Sequence, residues 1–325
     1  MNPIIDVQNL TASFKDKKGK TFIRVVNDVS FQVQEEEIFG LLGPNGAGKS
    51  SIIRMICGLL IPKSGGIFIK GISYQKRMES LKYISTVLEG NRNLYWRMTV
   101  KENISYFAGN RGIQFKEIKD QADEWLRLFG LEEKKSELVG NLSRGMQQKV
   151  AITVALCLNT KVILLDEPTL GLDVKTTNEL KKILTKIRNE FKKTIIISTH
   201  DMKLVEEICD RVVIIDRGKK IVEDTVEKLM ELFQIKTYAM SVKGGEISEK
   251  KLNRIVRQFP EFSYDSTSGL YRVDISNTTS FYAFIELLKK EKVYIDSIEP
   301  DRLDFEKIFT ILCERNQVDA VHVQE

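Results

Sequence analysis

Gly43-Pro44-Asn45-Gly46-Ala47-Gly48-Lys49-Ser50 follows the apolar stretch Ile38-Phe39-Gly40-Leu41-Leu42, and Ser51-Ile52-Ile53-Arg54-Met55-Ile56 continues it at helical spacing. A strand, a glycine-rich turn and a helix in that order make an anion site. The turn aims successive backbone N–H groups inward, and the helix N-terminus adds the positive end of its dipole. Gly43, Gly46 and Gly48 let the backbone approach phosphate oxygens where a Cβ would clash. Lys49 is placed to reach β- and γ-phosphates, and the Ser50 hydroxyl to ligate Mg²⁺. The plain alternative is a turn that only joins a strand to a helix. The full GxxxxGK[ST] spacing in that context argues for a nucleotide, with Gly43 to Ser51 as its cradle.

Two further strand ends carry candidate chemistry. Val162-Ile163-Leu164-Leu165-Asp166-Glu167-Pro168 is an unbroken apolar run closing on two acids. Such runs form central parallel strands, whose carboxyl ends face ligands. There Asp166 would hold the Mg²⁺ shell and Glu167 would polarise an attacking water. Thr194 to Ser198 is a second buried run, ending at Thr199-His200-Asp201. His200 at that end suits a phosphate contact, although a lone histidine is commonly a satisfied structural group.

The elements that must position these residues are legible by pattern. Ile5 to Leu10 alternates as a strand, Asp16 to Lys20 reads as a charged turn, and Phe22 to Val33 supplies one or two more strands. Phe14, just before that turn, suits either an adenine stack or an apolar strand end. Ile52, Ile53, Ile56 and Leu59 give the helix after Lys49 an inward face, and Ser64-Gly65-Gly66 reads as a turn. From about Arg92 to Leu158 the period becomes helical, predicting an inserted subdomain. Thr99-Val100-Lys101-Glu102 is a capping box for a helix with Ile104 and Phe107 inward. Ile118 to Phe129 repeats the apolar period until Gly130. Ser143 can cap a helix on which Met146, Val150, Val154 and Leu158 form one buried stripe. Asp216-Arg217-Gly218 between two apolar runs signals a hairpin.

Length and composition bound the rest. A chain of 325 residues has room for two cores. The 50 basic and 45 acidic residues are interspersed, which argues against a nucleic-acid stripe. Cys57, Cys157, Cys209 and Cys313 are scattered, as expected of reduced thiols rather than a metal cluster. Met1-Asn2-Pro3 leads straight into a strand pattern, so no secretion leader is expected. No apolar stretch is long enough to span a bilayer, so work at a membrane would need another chain. Beyond Phe233 a βαββαβ order emerges: Tyr238–Val242, Ser248–Phe259, Phe262–Tyr264, Leu270–Ile275, Phe281–Leu288 and Val293–Ile295, then a last helix from Asp304 to Cys313. That order predicts a ferredoxin-like domain over residues 236–315. Asn316 to Glu325 is polar and expected to be disordered.

Over residues 4–232 these motifs together resemble the ATP-binding subunit of ABC transporters. Gly43 to Ser50 matches Walker A, and Val162 to Glu167 matches Walker B with its catalytic glutamate. Leu142 to Met146 sits at the signature LSGGQ, Leu170 to Asp173 at the D-loop, and His200 at the switch histidine. Phe14 falls where the family places its adenine-stacking aromatic. The resemblance implies an α/β P-loop ATPase (residues 1–232) with a helical subdomain near 92–158, using ATP and Mg²⁺. Lys49, Glu167 and His200 would be catalytic, and Ser50, Asp166 and Glu89 would face the metal. It further implies a head-to-tail dimer, taken as a homodimer, in which Ser143, Gly145 and Asp173 add to nucleotide contacts at the interface. Separate transmembrane permease subunits would hold the dimer at the cytoplasmic face of the membrane, and no nucleic acid is expected.

Two departures stand out. The signature reads Leu-Ser-Arg-Gly-Met, with Arg144 and Met146 for a glycine and a glutamine, and Gln147 and Gln148 next in line to substitute. The loop expected to bring a glutamine to Mg²⁺ instead carries Glu89, with Arg92 as a candidate balancing charge and one extra residue before Met98. Its Glu-Gly-Asn-Arg-Asn form resembles a branch of multidrug and antibiotic exporters. Tyr95-Trp96 on that loop would line a groove for a permease helix, or pack on the helical block. The rival function is a mechanical ABC ATPase acting on ribosomes, DNA or iron–sulfur assembly. A third reading is a subunit that binds ATP without hydrolysing it.

Overall fold

The computed structural model describes residues 3–15, 22–90, 93–232, 236–243, 247–265, 268–275, 278–301 and 309. The Asp16–Lys20 turn, Arg92, the Asp304–Cys313 helix, Cys313 and the 316–325 tail lie outside them, apart from Phe309. The chain divides into two compact units, with the break between Val226 and Glu227.

The first unit opens with β1 (Ile5–Lys15) and β2 (Phe22–Val33), paired antiparallel, then β3 (Ile38–Leu42) and α1 (Lys49–Ile56). β4 (Ser64–Ile69) and β5 (Ile72–Ser73) close a four-stranded sheet of order β2-β1-β4-β5. The predicted turn at Ser64-Gly65-Gly66 is therefore the start of a strand. Gly65, at φ +92°, sits so close to Gln8 and Asn9 of a β1 bulge that a Cβ would collide with their carbonyls. The glycines there permit a close backbone approach rather than a reversal.

After α2 (Arg77–Ser80) and β6 (Ile84–Val87) come three helices, α3 (Val100–Gly109), α4 (Phe115–Leu128) and α5 (Arg144–Cys157). Thr99 caps α3 as predicted: its hydroxyl accepts from Glu102 N at 3.2 Å while Glu102 Oε2 accepts from Thr99 N at 2.7 Å. Thr99→Ala is expected to cost about 1 kcal/mol. Thermal unfolding should fall by about 2–4 °C, with nucleotide affinity unchanged. Ile104 is buried as expected, whereas Phe107 is half-buried against Tyr95 and Tyr106. On α5 the expected single stripe is corrected: every residue from Val150 to Cys157 is buried. A helix that is apolar all round must be enclosed by its neighbours.

The chain then runs through β7 (Val162–Asp166), α6 (Val174–Phe191), β8 (Thr194–Thr199), α7 (Met202–Ile208), β9 (Arg211–Asp216) and β10 (Lys219–Thr225). These complete a six-stranded sheet of order β10-β9-β3-β8-β7-β6, parallel except for the β9–β10 hairpin. β3, β7 and β8 are buried at every position, which is why their sequences do not alternate. Cys57, Cys157 and Cys209 are buried free thiols, and burial pushes the first two up to about 11 and about 12.

The second unit follows from α8 (Val226–Leu232) and comprises β11 (Lys236–Val242), α9 (Glu249–Gln258), β12 (Ser263–Asp265), β13 (Leu270–Ile275), α10 (Thr278–Lys290) and β14 (Ile295–Asp301). Its antiparallel order β12-β13-β11-β14 is the ferredoxin-like arrangement. The last strand begins at Ile295, later than the sequence pattern placed it, and Val293 is buried ahead of it. Met240, Ile255, Tyr271, Val273 and Phe284 form its core. Among the described residues no helix is long and apolar enough to cross a membrane.

Candidate active site

β3, β8, β7 and β6 are consecutive parallel neighbours, so their carboxyl ends open along one edge of the sheet. Gly43–Ser50 leaves β3, His200 follows β8, Glu167 follows β7 and Glu89 lies just beyond β6. Four separate stretches of sequence thus meet because topology stacks their strands side by side. Asn45 to Ser51 line a cleft of about 530 Å³ together with Val25, Glu89, Glu167, Leu170 and His200.

The loop geometry explains its glycines. Gly48 caps α1 at φ +106°, where a side chain is strained, and a Cβ there would run into the Val25 carbonyl. Gly43 lies equally close to the Ile215 carbonyl, while Gly46 faces open space at φ +83°. Lys49 is buried, and its ammonium donates to the Gly43 and Pro44 carbonyls at 2.7 and 3.2 Å. It lies 3.7 Å from Glu167 Oε1. Burial pulls the Lys49 pKa below its ordinary value, opposed chiefly by the carboxylates of Glu167 and Asp166.

Ser50 Oγ donates to Asp166 Oδ1 at 3.2 Å, and Asp166 Oδ2 is buried without a hydrogen-bond partner among the described residues. A hydroxyl and a carboxylate with a spare oxygen are hard donors of the kind Mg²⁺ takes. The described residues hold no cluster of three His, Cys, Asp or Glu suited to a metal. A cation here would therefore need the oxygens of a bound phosphate, the usual situation for Mg²⁺.

Glu167 is held from several sides. Its backbone is left-handed at φ +50°, and its N–H donates to the Ser198 carbonyl at 2.8 Å. Oε1 lies 2.9 Å from His200 Nδ1, and Oε2 accepts from Thr199 Oγ1 at 3.2 Å. A carboxylate fixed in this way beside a phosphate cradle can take a proton from a water, with the imidazole setting its orientation. Thr199 went unnoticed in the sequence. The signal was present: Asp166 pairs in register with Ser198, which puts Thr199 beside Glu167.

Glu89 lines the phosphate-loop cleft and also a second one of about 400 Å³ that includes Asp166, Glu167, Trp96 and Arg144. Asn93, also missed, pins its loop: Asn93 Oδ1 accepts from Leu88 N at 3.0 Å, and Nδ2 donates to the Leu88 and Gly90 carbonyls at 2.6 and 3.1 Å. An asparagine three residues after a left-handed glycine is the local clue. Tyr95 and Trp96 are both exposed, with Tyr95 edge-on to Tyr106.

Other expected residues stand outside the phosphate-loop cleft. Ser143 caps α5, accepting from Met146 N at 3.3 Å, and Gly145 sits where a Cβ would come within 2.8 Å of Thr176 Cγ2. Asp173 caps α6, accepting from Thr176 N and Thr176 Oγ1 at 2.9 and 2.8 Å. Phe14 is exposed, opposite Ile23 at the end of the β1–β2 ladder.

A phosphate loop whose lysine faces an anchored glutamate, on a parallel sheet with an added antiparallel one, defines an ATP-binding cassette. The chain belongs to the ABC transporter ATP-binding proteins, and it is an ATPase subunit of that class. Residues 26–170 match the ABC transporter family profile. The chain is 38% identical to the ABC transporter ATP-binding protein NatA of Bacillus subtilis (strain 168), across 70% of this chain and 92% of that one. It is 35% identical to the methionine import ATP-binding protein MetN of Carboxydothermus hydrogenoformans, across 69% of this chain and 66% of the relative. Among solved structures, the dimeric form of the bacterial ABC transporter cassette MJ0796 superposes with a TM-score of 0.62 at 28% identity, over 68% of this chain and 98% of that one. The same cassette is known in a post-hydrolysis state bound to ADP and Pi.

Proposed function

We propose that this subunit hydrolyses ATP to drive export, of drug or antibiotic type, through separate transmembrane permease subunits. Glu89 and its loop are the observation that carries the direction of transport. The loop has the form resembling drug and antibiotic exporters, and it borders both the phosphate cradle and a cleft walled by exposed Trp96. MetN, a relative of comparable identity, is an import protein by name, so the direction rests on this loop.

In this reading Gly43 to Ser51 cradle the β- and γ-phosphates, and Lys49 turns its ammonium from the loop carbonyls to them. Phe14 stacks on the adenine. Glu167 accepts the proton of the attacking water, and His200 and Thr199 keep its carboxylate aimed. Ser50, Asp166 and Glu89, together with phosphate oxygens, would hold Mg²⁺, which would supply positive charge against the phosphates. Ser143 and Gly145 stand outside their own phosphate-loop cleft, which suits contribution across a head-to-tail homodimer. Asp173, at the head of α6, belongs to the same interface. ATP would close that dimer by supplying the anion that the α5 N-terminus faces.

Glu89→Gln is expected to keep steady-state ATPase within about threefold, because either side chain offers a metal an oxygen. Complete loss of turnover would contradict simple ligand exchange.

Affinity purification of the tagged chain from membranes tests the assignment. A co-purifying multi-span permease is expected, and inside-out vesicles carrying both should accumulate a drug substrate when ATP is added. A permease without accumulation would remove the exporter reading. Ribosomes or nucleic acid in place of a permease would favour a mechanical ATPase.

A further inference from the structure

Two buried oxygens on neighbouring strands lack a hydrogen-bond partner among the described residues. Asp166 Oδ2 stands at the end of β7, and Ser198 Oγ lies beside it in β8. Both residues are shielded from solvent, at 2% and 0% exposure. A buried polar atom left unpaired is rare enough to require a cause.

Their placement supplies one. Asp166 and Ser198 are register partners on parallel strands, so their side chains leave the same face of the sheet. Ser50, which donates to Asp166 Oδ1, belongs to α1 and identifies that face as the one α1 covers. Side chains alternate along a strand, which sends Thr199 to the other face, where it donates to Glu167. Neighbouring strands run about 4.8 Å apart. One water can reach two oxygens up to about 5.5 Å apart. Thr86 Oγ1 on β6 is a further unpaired oxygen on the Asp166 face, but it lies beside the Cys57 thiol.

We infer that Ser198 is a positioning residue for Asp166, acting through one bridging water. The Ser198 hydroxyl donates to that water, and the water donates to Asp166 Oδ2. With Ser50 on Oδ1 and the bridge on Oδ2, the carboxylate plane is fixed before any cation arrives. A carboxylate has about four acceptor sites, so the metal role of Asp166 is kept. β8 thus serves both acids of the pair, Glu167 through Thr199 and Asp166 through Ser198. This rests on the reading of Ser50 and Asp166 as the metal side of the nucleotide cradle.

The test separates metal binding from nucleotide binding in the full chain. Mn²⁺ is titrated, by its EPR signal, into chain loaded with the unhydrolysable ATP analogue AMP-PNP. Ser198→Ala is expected to weaken Mn²⁺ binding about tenfold, the usual loss when a group supporting a metal ligand is removed. AMP-PNP binding in EDTA should not change, which also shows that the variant folds. Thr86→Val removes the neighbouring buried hydroxyl and should leave Mn²⁺ affinity as it was. Mn²⁺ affinity unaltered by Ser198→Ala, or an equal loss in Thr86→Val, would overturn the inference. So would a high-resolution crystal structure of the nucleotide-free chain with no water in hydrogen-bond reach of both oxygens. If the unsubstituted chain binds AMP-PNP neither in EDTA nor with Mn²⁺, the nucleotide-site reading fails, and the inference falls with it.

Discussion

Glu167→Gln is expected to cut ATP turnover by about 10²–10⁴-fold, the usual worth of a positioned general base, while ATP binding persists. The amide keeps the shape of the carboxylate and an oxygen for Thr199, so the site should stay assembled. It cannot take a proton. Single-turnover hydrolysis and nucleotide binding, measured on the same preparation, separate the two effects. The left-handed backbone at Glu167 sharpens the expectation, since φ +50° and the N–H bond to Ser198 fix where the side chain starts. Turnover within tenfold of the parent would move the base role to another group, with His200 first in line.

Gly48→Ala has the second large effect, and its cause is steric. The residue combines φ +106° with a backbone approach in which Cβ would strike the Val25 carbonyl. Strain of about 1–3 kcal/mol is the minimum cost, before the loop shifts to relieve the collision. At 1.4 kcal/mol per tenfold, ATP affinity should fall at least about fivefold and up to about a hundredfold or more. Gly46→Ala is the control. It too has positive φ, but nothing lies within 4 Å of its Cβ, so only the conformational strain applies. Equal losses at Gly46 and Gly48 would show that torsional strain decides, not contact with Val25.

The phosphate loop, the acid pair and His200 were legible because each couples a short chemical motif to a buried strand. Apolar runs without alternation identified those strands as central, and central parallel strands deliver their ends to one edge. Capping was legible too: Thr99 and Ser143 announce helix starts through local hydrogen bonds. What escaped depended on partners distant in sequence. Ser64-Gly65-Gly66 read as a turn because the β1 bulge that needs those glycines is more than fifty residues earlier. The all-round burial of α5 escaped because Thr153 and three alanines or cysteines are unremarkable on a helical period, yet all are enclosed. Thr199 and Asn93 have ordinary types for their places, and only strand register and loop geometry reveal what they hold.

The enclosure of α5 also sets where change can enter this helix. From Val150 to Cys157 there is no open side on which a substitution can be accommodated, and a single added methylene in a packed interior is felt. The first turn, Arg144 to Gln148, is less restricted, as Arg144 is exposed and the next four residues are only partly covered, and only Gly145 is tight, where a Cβ would come within 2.8 Å of Thr176. Mutational drift on this helix is therefore channelled into its leading end, and both signature departures, Arg144 and Met146, lie there. A library randomised over Arg144, Met146, Gln147 and Gln148, with Gly145 kept, should return mostly folded proteins differing in turnover. One randomised over the buried eight should return mostly proteins that do not fold.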